Sequence, residues 1–93
     1  MSESQVAEGI VKVVNPAGVH ARPAAQIVQL TSQFTSEIQL GKDGLDVNAK
    51  SIMGVLLLAA ECGSELTIRC QGADADVALA AITGLVGRGF EEI

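Results

Sequence analysis

The chain has 93 residues, of which 48% are hydrophobic and 2% aromatic, and its formal net charge is −5. This length allows one core, so we expect residues 1–93 to form a single domain without a catalytic cleft of its own. The acidic balance and the scarcity of aromatic side chains argue against nucleic-acid binding, which needs a basic surface or a stacking platform.

The sequence carries no signal for a membrane or for export. It has no uninterrupted apolar run of about 18 residues, and residues 1–5 lack a basic stretch leading into an apolar one. We therefore expect a cytoplasmic protein without membrane insertion. We interpret Cys62 and Cys70 as reduced thiols, with Cys70 in the core, because no second cysteine pair and only one histidine accompany them. We predict no metal and no cofactor.

Hydrophobic periodicity predicts an alternation of strands and helices along the chain. The elements are strand 9–14, helix 21–33, strand 36–40, strand 45–48, helix 52–60, strand 65–71 and a helix that Asp74 caps and that ends near residue 87. This order is typical of an α+β fold, with a four-stranded antiparallel sheet that carries three helices on one face (βαββαβα). Residues 91–93 are expected to form a solvated tail.

Residues 15–25, NPAGVHARPAA, join the first strand to the first helix and contain the only histidine. Unpaired N–H groups at the start of a helix can bind an anion, and proline is tolerated in the opening turn. On one interpretation His20, with an unprotonated ring nitrogen, accepts and donates a phosphoryl group that Ala21, Arg22 and Pro23 bind. On the other, His20 is a surface side chain beside a helix cap.

The second predicted helix, residues 52–60, is apolar on nearly every side. A small domain rarely buries a helix completely, so part of this surface should be exposed and dock a partner. We assign Ile52, Met53 and Leu56 to that surface; the alternative is a fully buried helix. Ser51 lies just before the helix, where a serine caps the first amides.

Residues 15–25 together with residues 48–55, NAKSIMGV, closely resemble the HPr family, the histidine-containing phosphocarrier proteins of the bacterial phosphotransferase system. The resemblance covers nearly the whole chain and implies an open-faced β-sandwich. It also implies that Enzyme I, with phosphoenolpyruvate as the original donor, phosphorylates His20 on Nδ1, that Arg22 contacts the phosphate, and that the group passes to IIA proteins.

The same resemblance implies how partners dock and how docking is regulated. In this family the second helix and the start of the first, here including Ala25, contact the partners. Some members are phosphorylated by an HPr kinase/phosphorylase at the serine that matches Ser51, so the sequence leaves a cap and a regulatory phosphoserine both open. We expect a monomer.

Two alternatives remain. Several family members carry lysines along the first helix where this chain has neutral residues, which favours the nitrogen-related branch, in which an NPr-like carrier feeds a regulatory IIA protein. Those residues are Gln26, Gln29, Ser32 and Gln33, which leaves Arg22 and Lys50 as the basic residues expected near the site. The other alternative is a docking module for a transcription factor that is never phosphorylated, although such a module would need neither His20 nor Arg22.

Overall fold

The computed structural model describes residues 5–92, and the order of its elements is the predicted one. The strands are β1 (Gln5–Lys12), β2 (Glu37–Lys42), β3 (Leu45–Asn48) and β4 (Glu65–Gly72). The helices are α1 (Ala21–Thr31), α2 (Ile52–Leu57) and α3 (Ala75–Gly87), followed by a short 3₁₀ turn at Gly89–Glu91. Element ends differ from the prediction: β1 begins at Gln5 and α2 ends at Leu57.

The four strands form one antiparallel sheet in the order β1-β4-β2-β3, with the three helices on one face. Strand β4 lies inside the sheet because it pairs with β1 and with β2. Its side chains alternate between the two faces: Leu66, Ile68 and Cys70 are buried against the helices, as predicted. The predicted open-faced β-sandwich is confirmed.

The core lies between the sheet and the helices. Helix α1 buries Ala24, Ile27 and Thr31, which recur at helical spacing. Burial raises the pKa of the Cys70 thiol, so this cysteine is unreactive. Both Cys62, which is exposed, and Cys70 are unpaired.

Asp74 occupies the predicted N-cap position of α3, but its side chain makes no capping hydrogen bond. Its carboxylate instead accepts the hydroxyl and N–H of Ser36 and the N–H of Thr35, the two N–H groups at 3.0 and 2.9 Å. These contacts, the Ser36 hydroxyl first, lower the pKa of Asp74 to about 2. The predicted cap is wrong because the segment between α1 and β2 offers this carboxylate three donors.

Within residues 5–92 there is no helix whose length and apolar content would let it cross a membrane.

Candidate functional site

His20 occupies the N-cap position of α1, and its side chain is 45% exposed. The ring makes no capping hydrogen bond, and the contacts with the helix come from the backbone of His20. The His20 N–H donates to the Gly18 carbonyl at 3.1 Å, and the His20 carbonyl accepts the N–H of Ala24 at 2.9 Å. The histidine is therefore fixed at its backbone while its ring stays accessible from solvent.

The opening turn of α1 leaves two N–H groups for an anion. By position, the amides of Ala21 and Arg22 have no acceptor inside the helix. Pro23 has no N–H and is buried, so it shapes the turn and donates nothing. The expectation that Pro23 binds the phosphate is therefore wrong for its backbone, and this helix end offers one N–H fewer than an end without proline.

Arg22 is exposed at the same helix end. No ion pair found within residues 5–92 includes its guanidinium. A guanidinium presents several N–H donors in a planar fork that matches the oxygens of a phosphate group. Arg22 is therefore suited to bind a phosphoryl group carried by the neighbouring imidazole.

Glu92 is a contact of His20 that the sequence did not indicate. Its Oε2 lies 3.0 Å from Nε2 of His20, and its Oε1 accepts Nδ2 of Asn15 at 2.9 Å. Glu91 and Glu92 are exposed, as the predicted solvated tail requires, but the carboxylate of Glu92 is bound to His20 and Asn15, and Ile93 lies outside the described residues. Phe90, which is 2% exposed, anchors this end of the chain in the core. An aromatic residue directly before two glutamates was the available signal.

Helix α2 is partly exposed, as predicted. Met53 is 71% exposed and Ile52 43%, whereas Val55 is buried. Leu56 and Ala25 are half-buried. Leu57, at 67%, is an exposed member that the prediction missed. We call Ile52, Met53 and Leu57 the apolar face of α2.

Ser51 is the N-cap of α2, and its Oγ accepts the N–H of Gly54 at 3.1 Å. The capping interpretation is therefore confirmed. Its phosphorylation by a kinase stays a prediction.

The two ends of α1 have different neighbours. Val19, just before α1, donates its N–H to the carbonyl of Ala60, which follows α2, at 2.8 Å. At the other end, Thr31 Oγ1 donates to the carbonyl of Ala49, which precedes α2, at 2.9 Å. The helices are thus antiparallel, and Ser51 lies at the end of α1 away from His20.

Lys50 also lies at that distant end, because its Nζ donates to the carbonyl of Phe34, beyond the C-terminal end of α1, at 2.7 Å. A helix rises about 1.5 Å per residue, so the length of α1 separates Lys50 from His20. The expectation that Lys50 is near the site is wrong.

Residues 7–88 match the family model described as the PTS HPr component phosphorylation site. The phosphocarrier protein HPr of Treponema pallidum is 57% identical over 82 residues, which cover 88% of this chain and 93% of the relative.

Two solved structures extend the similarity to the fold. HPr-C-His from Thermoanaerobacter tengcongensis has a TM-score of 0.90 and 39% identity, with 94% of this chain and 98% of that chain covered. Crh of Bacillus subtilis, described as a dimer with a swapped domain, has a TM-score of 0.73 and 46% identity, covering 85% and 91%.

Proposed function

Since the chain belongs to the HPr family of phosphocarrier proteins of the phosphotransferase system, we propose that His20 is the residue that carries the phosphoryl group. His20 accepts the group from phospho-Enzyme I, with phosphoenolpyruvate as the original source, and passes it to a IIA protein. Both transfers take place in the cytoplasm.

The observation that carries this proposal is the exposure of the His20 ring beside the open N-terminal end of α1. The ring is 45% exposed, and Nε2 faces Glu92, so in the neutral ring that donates to this carboxylate Nδ1 carries the free electron pair. A neutral imidazole with one unprotonated nitrogen is a nucleophile for phosphoryl transfer. The free nitrogen is the one that family members use.

The transferred group is stabilised by charge and position. The N–H groups of Ala21 and Arg22 lie at the helix end, and the exposed guanidinium of Arg22 is available there to bind the phosphate oxygens. Phosphoryl transfer depends mostly on such positioning, so a small carrier and its partner's active site can share the work. Because the site is open to solvent, it can also release the group to the next protein.

Docking is assigned to the apolar face of α2. The segment that follows α2 is joined to the loop before His20 (residues 13–20, the His20 loop) by the hydrogen bond from the Val19 N–H to the Ala60 carbonyl. A partner that packs on Ile52, Met53 and Leu57 would therefore find the histidine at a fixed position relative to its contact surface. A small interface of this kind suits a complex that must form and dissociate repeatedly.

The nitrogen-related branch is the second candidate. Gln29 on α1 and Gln33 just after it are exposed and neutral. Lys50 lies at the distant helix end, and Arg88, which lines the same groove as these glutamines, is paired with Glu91. Arg22 is therefore the unpaired positive charge next to His20 in the described part of the chain. Acidic partner surfaces are recognised mainly through complementary charge. Transfer assays with sugar-specific and regulatory IIA proteins decide between the branches, because the true acceptor removes the label from the carrier fastest.

The first experiment is incubation with Enzyme I and ³²P-labelled phosphoenolpyruvate. We expect label on the wild type that is lost in acid and stable in base, and none on His20→Ala. Arg22→Ala should be labelled at least about tenfold more slowly, because it loses a charge-assisted contact to the phosphate. Arg69→Ala is the matched control, since Arg69 lies on the exposed face of β4 and pairs with Glu8.

Label that persists on His20→Ala would reject the site. An unlabelled wild type would reject the carrier function and favour the docking module that is never phosphorylated.

A further inference from the structure

The C-terminal turn brings a carboxylate to the His20 ring from outside the region that the family model covers. That model ends at residue 88, and Glu92 lies beyond it. Two residues of the turn that are not glycine, Phe90 and Glu91, have φ angles of 56° and 61°. Positive φ angles raise the conformational energy of residues that have a Cβ atom, and they persist where surrounding contacts hold the backbone in place. The buried ring of Phe90 provides these contacts.

Both oxygens of the Glu92 carboxylate are engaged. Oε2 lies 3.0 Å from Nε2 of His20, and Oε1 accepts the amide of Asn15 at 2.9 Å. Asn15 is fully buried, and its Nδ2 also donates to the carbonyl of Gly18 at 2.8 Å. The carboxylate is therefore held against the ring by a side chain that is itself fixed within the His20 loop.

We propose that Glu92 is a positioning residue for His20. Its carboxylate accepts a hydrogen bond from the Nε2–H group and so favours the tautomer in which Nδ1 carries the free electron pair. It also faces the ring from the edge opposite the incoming group, where it balances the positive charge that forms when Nδ1 bonds to phosphorus. This inference rests on the proposed function. It states that the contact with Glu92 determines which ring nitrogen, Nδ1, is the nucleophile.

The bonds formed and broken in the proposed transfer balance, and no proton changes place. The electron pair of Nδ1 forms the new N–P bond, the bond between phosphorus and the donor atom of phospho-Enzyme I breaks, and its electron pair leaves with the donor. The Nε2 proton stays on the ring beside Glu92, so the product is a phosphoimidazolium paired with a carboxylate. In the next step the neutral imidazole leaves and the phosphoryl group bonds to the acceptor.

The test compares Glu92→Ala and Glu92→Gln with the wild type, using full-length protein with ¹⁵N-labelled histidine. The first readout is the NMR signal of the Nε2 proton in the unphosphorylated protein, which a hydrogen bond protects from exchange with water. We expect this signal in the wild type and in Glu92→Gln, whose amide oxygen still accepts the proton. We expect it to be lost in Glu92→Ala.

The second readout is the rate of transfer from phospho-Enzyme I. Glu92→Ala should be slower by about tenfold, the value of one hydrogen bond to a charged group, and Glu92→Gln should lie between it and the wild type because it keeps the bond but not the charge. Glu91→Gln is the matched control: it removes a neighbouring carboxylate whose ion-pair partner is Arg88, and both readouts should stay at the wild-type values.

The two proposals fail in different ways. An unchanged Nε2 signal in Glu92→Ala, or a lost signal with an unchanged transfer rate, overturns the role of Glu92 while His20 remains the carrier residue. A wild type that Enzyme I does not label overturns the carrier function itself.

Discussion

Gly18 lies so close to Ala60 that a Cβ atom on residue 18 would be 2.6 Å from the Ala60 carbonyl oxygen. The same oxygen accepts the N–H of Val19 at 2.8 Å. Since Ala60 follows α2 and Val19 precedes His20, this contact joins the loop of the proposed nucleophile to the segment behind the apolar face of α2. The backbone of Gly18 has a φ of +71°, which also favours glycine.

Replacing Gly18 by alanine should therefore damage both stability and transfer. The positive φ and the clash with the Ala60 carbonyl together should lower the free energy of unfolding by about 2 kcal/mol or more. Labelling of His20 by Enzyme I should slow as well, because the loop before the histidine has to move. Urea unfolding and the labelling assay measure the two effects.

Gly44→Ala is the matched control for this change. Gly44 has a φ of +85°, but a Cβ there would meet no atom within 4 Å. It should therefore show the cost of the backbone angle alone, with normal labelling. If Gly18→Ala were no more harmful than Gly44→Ala, the close approach to Ala60 would not matter for the site.

Asp74 should make stability depend on pH in the acid range. Its pKa is about 2 in the folded protein against an ordinary value of 3.8, so the ionised form is favoured by folding. That stabilisation is complete above the unfolded value and is lost as the pH falls from about 4 to about 2. The free energy of unfolding of the wild type should therefore drop more steeply over this range than that of Asp74→Asn.

Asp43→Asn provides the comparison, because Asp43 lies in the exposed turn between β2 and β3 and its ion pair is with the adjacent Lys42. We expect this variant to keep the steep acid dependence of the wild type. A constant difference between the wild type and Asp74→Asn from about pH 6 to about pH 2 would contradict the role of the Ser36 and Thr35 contacts.

The sequence predicted those features that depend on near neighbours in the chain. Alternation of side chains identified residues 65–71 as a strand, and a serine before an apolar run identified the cap of α2, because both patterns follow from local backbone geometry. His20 could be placed at the start of α1 for the same reason. The two motifs then identified the family, whose fold the structure has.

The features that the sequence missed join distant parts of the chain. Glu92 contacts His20 across 72 positions, and Asp74 contacts Ser36 across 38. No local pattern reveals that Asp74 has better donors in another segment than in its own helix. The contact that Glu92 of the C-terminal turn makes with His20 could therefore be identified only from the structure.

The apolar face of α2 should contribute most of the affinity for Enzyme I. Met53→Asp puts a charge on that face and should weaken binding by about tenfold or more, as is typical for a central interface residue. The fold should survive, because Met53 is 71% exposed and an acidic residue is favourable in the first turn of a helix. Isothermal titration calorimetry with Enzyme I measures the change.

Val77→Asp is a close control, since Val77 is 63% exposed and also lies in the first turn of a helix, α3. Its affinity for Enzyme I should match that of the wild type. Equal losses in the two variants would show that α2 has no special role in docking.

Substitutions of Ser51 should separate its two interpretations. Ser51→Ala removes the cap on Gly54 and should cost about 1 kcal/mol of stability, with normal affinity for Enzyme I. Ser51→Asp should keep the stability, since aspartate also caps, but should bind Enzyme I more weakly because its charge lies beside the apolar face. Urea unfolding and calorimetry give the two quantities. If alanine and aspartate weakened binding equally, the loss of the serine hydroxyl, and not the added charge, would control docking.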